Sequence, residues 1–307
     1  MAYRLELDEG LHAGLRRSIL EELQHAAAEL RPRKTHEPVE AVHEARKSMK
    51  KARAALRLVR KPLGKQTYRQ ENGVLRDIGR ELAGARDADV MVQTLDGLRD
   101  RATGHVAKSA LDDLRAHLAE QAQGTRVASG RRRAALVREL RALEQRVEQW
   151  PLGDADWATV RSGMARSYRA GRKAFARADA DPTVEHLHEW RKRAKDLWYH
   201  HRLARDLWPA VMKPYGSAAH ELSDILGDDH DFAVLRSLIA EGRDAAAVTP
   251  ADLDPLVEVI DERRAELLEA ARRLGRRLYA ERPKAFAARL DAYLEALGAE
   301  RRALMPA

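Results

Sequence analysis

The residues best placed to do chemistry are His43, Arg46, Lys50, Arg53, Arg57 and Arg60, which recur at steps of three and four. At the helical period this spacing puts one stripe of cations along a helix. Lys47 and Lys51 widen it, and Glu44 is the only acid between His43 and Lys61. The usual compensation by acids at i, i+4 is therefore missing. One residue out of phase, Val42, Ala45, Met49, Ala52, Leu56 and Val59 form an apolar stripe that must face a core. A row of Arg and Lys beside a core seam suits a line of phosphates or similar anions, Arg through paired planar donors and Lys as a mobile point charge. The His at the head of the row adds an imidazole donor whose charged form a bound anion would favour.

The same arrangement returns 145 positions later. Leu187-His188-Glu189-Trp190-Arg191-Lys192 aligns with Val42 to Lys47, and Lys195 and Arg202 fall opposite Lys50 and Arg57. Leu187, Trp190, Ala194, Leu197 and Ala204 make the apolar stripe, with His188, Arg191, Lys195, Arg202 and Arg205 beside it. Further on, Arg86-Asp87-Ala88-Asp89-Val90 aligns with His230-Asp231-Phe232-Ala233-Val234 after a one-residue change of register. Unbalanced like charge costs stability, so its repetition on matching helices points to an anionic ligand that neutralises it. The copies differ at Trp198, opposite Arg53, and Asp196, opposite Lys51, so the second is expected to offer less charge or to hold a shorter part of a ligand.

The elements that must carry these rows are helices. Helical periodicity covers most of the chain, Gly and Pro are scarce at 18 and 11, and strand-like alternation is nearly absent, which predicts an all-α protein. Helices are expected near 10–30, 37–61, 66–100 with a break at Gly84, and 105–149 with a break near Gly124. After Trp150-Pro151-Leu152-Gly153-Asp154 they follow near 156–179, 183–206, 212–243 broken at Gly227, and 252–296 broken at Pro283. This order and the internal repeat predict two antiparallel four-helix bundles, 1–151 and 152–307, related by duplication and by an approximate two-fold.

Composition narrows the chemistry. The 307 residues contain no Cys, which excludes disulfides, thiolate metal sites and Cys nucleophiles. The formal net charge of +8 makes a polyanion a natural partner. No signal peptide is read in Met1 to Gly10 and no run of about 18 apolar residues occurs, so a cytoplasmic protein without a membrane span is expected. His43-Glu44 and His188-Glu189 begin like a zinc-protease motif, but Lys47 and Lys192 stand where the second His belongs. Leu63-Gly64-Lys65-Gln66-Thr67 lacks the Ser or Thr and the strand of a P-loop. Asp228-Asp229-His230-Asp231 reads as a helix cap after Gly227 in preference to a cation site, and His200-His201 project in different directions. No metal or cofactor is expected.

The paired His-Glu-x-Arg-Lys-x-x-Lys runs resemble the CHAD family, the conserved histidine α-helical domain. The resemblance extends through Tyr3-Arg4-Leu5, Gly14-Leu15-Arg16-Arg17, Leu82 to Val90, Tyr168-Arg169-Ala170-Gly171-Arg172 and Leu226 to Asp231. It implies two four-helix bundles in approximate two-fold symmetry and a basic surface that binds inorganic polyphosphate without catalysis. Carried onto this sequence, the ligand surface comprises His43, Arg46, Lys47, Lys50, Arg53, Arg57, His188, Arg191, Lys192, Lys195 and Arg202. Arg17, Arg86, Arg169, Arg172, Lys213 and His230 form a second tier. Some CHAD domains are fused to a triphosphate hydrolase, whose Glu-x-Glu-x-Lys strand is missing here. The competing readings are a nonspecific nucleic-acid binder, disfavoured by 5% aromatic content without regular interleaving, and a scaffold that recruits proteins to polyphosphate granules.

Overall fold

A computed structural model describes residues 3–6, 8–31, 38–82, 84–124, 130–153, 155–241 and 250–304. Among them the chain is all-α, with thirteen α-helices and no strand. The first half holds α1 (Leu11–Glu29), α2 (Pro38–Leu58), the single turn α3 (Arg60–Leu63), α4 (Lys65–Glu81), α5 (Gly84–Asp96), the single turn α6 (Arg99–Ala102), α7 (Lys108–Gly124) and α8 (Gly130–Glu148). The second holds α9 (Trp157–Ala180), α10 (Val184–Leu203), α11 (Pro209–Glu241), α12 (Pro250–Leu278) and α13 (Pro283–Leu304). Breaks fall where they are expected near Gly84, Gly124 and Pro283.

Gly227 is the exception, because α11 runs through it without interruption. A helix-interior glycine costs only about 1 kcal/mol, which packing can offset. Here the missing side chain makes room, since a Cβ at Gly227 would lie 2.8 Å from Nη2 of Arg191. The acids that follow are consequently mid-helix and do not cap anything. Asp229 is buried and accepts from Arg264 Nε at 2.9 Å, tying α12 to α11.

Both apolar stripes are buried as their spacing requires: Val42, Ala45, Met49, Ala52, Leu56 and Val59 on and just after α2, and Leu187, Trp190, Ala194, Leu197 and Ala204 on and just after α10. Side-chain oxygens start the first two helices of the second half. Asp156 accepts from the Thr159 amide at 2.9 Å at the head of α9, and Thr183 accepts from the His186 amide at 3.2 Å at the head of α10. The order of packing is similar in the two halves. In the first, α1 packs on α2 and α8, α2 on α4, and α5 on α7; in the second, α9 packs on α10 and α13, α10 on α11, and α11 on α12.

Two hydrophobic cores result, and each draws on both halves. The larger runs from Tyr3 and Leu5 through α1, α2, α8, α9 and α10 to Phe286 and Leu290 of α13. The smaller joins α5, α6 and α7 to the second half of α11 and the first part of α12. Between the halves, α2 packs on both α9 and α10. A Cβ on Gly163 of α9 would lie 2.7 Å from Cα of Leu58, so this glycine permits the close crossing. That contact brings the two basic helices side by side.

Candidate anion-binding groove

Where α2 and α10 meet, they bound a groove of about 800 Å³ that α3, α4 and α9 complete. Arg46, Lys50, Arg53 and Arg57 line it from α2, and His188, Arg191, Lys192 and Lys195 from α10. The other walls contribute residues outside the sequence-derived set: Arg60 on α3, Arg76 and Arg80 on α4, and Arg166 on α9, with Arg193 on α10 itself. Twelve Arg and Lys side chains thus face two carboxylates, Glu189 and Asp196. The α4 wall had a readable signal, because Tyr68, Asn72, Arg76 and Arg80 repeat every four residues. Arg166 had none, since only the crossing at Gly163 brings it there; its Nη2 lies 3.4 Å from the Arg57 carbonyl and 3.5 Å from that of Leu58.

The two carboxylates are already engaged. Asp196 is buried and lies 3.2 Å from Arg57 Nη1 and 3.3 Å from Arg193 Nη1, so it joins α2 to α10. Glu189 accepts two hydrogen bonds from Arg193, at 2.8 and 2.5 Å. Arg53 donates to the neutral Asn72 oxygen at 3.1 Å. Burial, then Arg57 beside it, pushes its guanidinium down to about 10. Burial of Lys195, reinforced by Arg191 and Lys50, lowers its ammonium to about 7. His188 is held at about 4 by burial and by Lys192, His230 and Arg191, and so is neutral at neutral pH. Burial leads each of these shifts, and the crowding of positive charge adds to it.

Three residues of the main set do not line the groove. His43 and Lys47 gather around Glu44, with His43 Nε2 at 3.9 Å and Lys47 Nζ at 2.9 Å from its carboxylate. Arg202 turns toward the N-terminal segment, its guanidinium 5.8 Å from the Tyr3 ring and 5.5 Å from that of Trp198. In the second tier, His230 packs its ring 4.5 Å from that of His188 behind the groove wall. Arg17 is occupied by Glu9, Glu21 and the Arg4 carbonyl, which anchors the N-terminal segment on α1. Arg172 donates to the Glu281 carbonyl. Arg169 and Lys213 are solvent-exposed away from the groove lining, and the Arg86 side chain lies outside the described residues.

His200 and His201 behave as core groups. His200 Nε2 donates to the Ala54 carbonyl of α2 at 2.9 Å, whereas His201 stacks on Tyr215 of α11 with ring centroids 4.5 Å apart. Among the described residues no group of three or more His, Asp or Glu side chains could hold a metal ion, and no helix is long and apolar enough to cross a membrane.

With this geometry in place, the sequence comparison is decisive: residues 17–240 match the CHAD domain family model. The chain belongs to the CHAD domain family. It is similar in structure to the crystal structure of the CHAD domain from the plant Ricinus communis, at 22% identity and a TM-score of 0.59, covering 95% of each chain. At that identity the likeness speaks to the fold. No curated protein matches the sequence. CHAD domains are in general non-catalytic binding modules. In this CHAD chain the groove between α2 and α10 collects Arg46 from the first His-Glu-x-Arg-Lys run and His188, Glu189, Arg191 and Lys192 from the second.

Proposed function

We propose that this CHAD protein binds inorganic polyphosphate in the groove between α2 and α10, as a non-catalytic binding or targeting module. The observation that carries this reading is the meeting of both basic rows in one cavity with twelve Arg and Lys side chains and two carboxylates, both already paired. A linear polyanion with a charge at every repeat matches such a site, since each phosphate meets a cation and releases a counterion on binding. From Arg46 to Arg57 the α2 bank rises about 16 Å, and from His188 to Lys195 the α10 bank rises about 10 Å, at 1.5 Å per residue. The longer bank holds more of the chain and the shorter one clamps it. The residues assigned to contact are Arg46, Lys50, Arg53, Arg57, His188, Arg191, Lys192 and Lys195, with Arg60, Arg76, Arg80 and Arg166 added from the other walls.

The groove suits a thin chain better than one bearing bases. Its Tyr68 ring already has Arg60 against its face, 5.2 Å from the centroid, and Tyr199 is buried, so neither ring offers a free stacking platform. We assign the duplication to 1–151 and 152–307, two bundles in approximate two-fold relation; the similar packing order of the two halves supports it. Such a module would act in the cytoplasm, at polyphosphate granules or with proteins gathered there.

Titration of the protein with long-chain polyphosphate and with charge-matched single-stranded RNA over a salt series tests this. Preference for polyphosphate, lost when Arg46, Lys50, Arg191 and Lys195 are changed together to Ala, is the expected result. Equal affinity for RNA, or indifference to the fourfold change, overturns it in favour of a general polyanion surface or a protein scaffold.

A further inference from the structure

Lys195 occupies an unusual place in the groove. It lies on α10 where that helix packs against α2, lines the cavity, and has no carboxylate within 4.0 Å among the described residues. The charged groups that face it come from three helices: Arg191 on α10 itself, Lys50 on α2, and Asp224 and Asp231 on α11. The cations act on it more strongly than the acids do, and Asp224 is engaged by His220 at 2.5 Å. Its neighbours Lys192 and Asp196 and, from α9, Arg166 also line the cavity, with Asp196 committed to Arg57 and Arg193. An amine set among cations and removed from water sheds its proton readily, and regains it when an anion supplies the missing charge. Arginine in the same place would stay charged throughout.

We propose that binding of polyphosphate is coupled to uptake of a proton by Lys195, so that the groove holds its ligand more tightly as pH falls through the neutral range. This rests on the polyphosphate reading above. The amine, which burial, Arg191 and Lys50 hold at about 7 in the protein alone, is half neutral there. Restored by a bound phosphate toward the ordinary lysine value of about 10.4, it would take up about half a proton at pH 7 and about nine-tenths at pH 8. Affinity would then weaken about fivefold between pH 7 and pH 8. His188 is neutral across this interval in the protein alone, and a phosphate that restored it toward the ordinary imidazole value of about 6.5 would add only about a quarter of a proton at pH 7 and almost none at pH 8. The histidine at the head of the second row is therefore the lesser of the two contributors, and Lys195 is the larger.

The test is calorimetric titration with long-chain polyphosphate at pH 7 and pH 8 in buffers of different ionisation enthalpy, comparing the wild type with Lys195→Arg. The wild type should show the stated proton uptake and fivefold weakening. Lys195→Arg should show neither, beyond the small contributions that both proteins share: uptake at His188 and release from the terminal phosphates of the chain. A wild type with no uptake and a flat affinity sinks the proposal without any variant, so a poorly folded Lys195→Arg protein leaves it falsifiable. Equal uptake in the two proteins sinks it as well. Absence of binding to either protein brings down the underlying polyphosphate reading, which is a different and recognisable result.

Discussion

The two basic helices share a spacing but not an environment. On α2 the cations stand on the outer side of a helix whose other face is core, and Arg46, Lys50, Arg53 and Arg57 line the groove, joined by Arg60 of α3. On α10 the matching positions are hemmed in by α9, α11 and α2, so that Asp196, opposite Lys51, is buried and Lys195, opposite Lys50, is half-buried. Desolvation reaches both banks: on α2 it lowers Arg53 only to about 10, which stays charged, whereas on α10 it takes Lys195 to about 7 and His188 to about 4, while Arg193 pairs with Glu189 and Asp196. A repeated motif can therefore yield one bank that supplies charge and another that tunes it.

The comparison breaks most visibly at Trp190. This fully buried ring of α10 presses on Gly275, where a Cβ would stand 2.5 Å away, so Trp190→Ala should cost about 3–5 kcal/mol in denaturant unfolding. Arg46→Ala on α2 should change stability by less than about 0.5 kcal/mol. Next comes acid. His200 is neutral in the fold, held at about 4 by burial against an ordinary 6.5. Its contribution is complete above about pH 6.5 and is lost as pH falls toward 4, an effect on the order of 3 kcal/mol. Unfolding midpoints between pH 7 and pH 4 should show a decline to which His201 and His188, also held low by burial, add, and His200→Gln should remove only the share of His200.

A smaller effect is expected at the join between the banks. Asp196→Asn leaves Arg57 and Arg193 without their shared acid and should destabilise by about 1–3 kcal/mol, while raising polyphosphate affinity by removing a buried negative charge from the groove. Loss of both stability and affinity would show that Asp196 shapes the site more than it opposes the ligand. Smallest are the single contacts. Arg46→Ala and Lys192→Ala should each lower the slope of log affinity against log salt by about 0.7, the single-strand value per phosphate contact. Lys213→Ala and Arg169→Ala, outside the groove, should leave that slope unchanged.

Much of this was legible before folding was considered. The apolar stripes from Val42 and Leu187 appear in the core residue for residue, because the helical period alone decides which side chains share a face. The cationic rows were legible for the same reason, except at their ends. Arg202 matches Arg57 in register yet turns to Tyr3 and Trp198, since the N-terminal segment crosses there, with the Leu5 amide bonded to the Leu203 carbonyl at 2.9 Å. Gly227 resembled a helix end and proved to be a berth for Arg191, a distinction that depends on a side chain 36 positions away in sequence.

Sequence by itself determined the all-α class, the two amphipathic basic helices, the repeat that pairs them and the surplus of positive charge, all properties of residue type and local period. The tertiary structure decided that α2 and α10 meet, that α4 and α9 bring Arg76, Arg80 and Arg166 to the same cavity, and which cations lose their water. Solvation and proximity between distant segments depend on how helices cross, so His188 and His43, alike in motif, end in different surroundings.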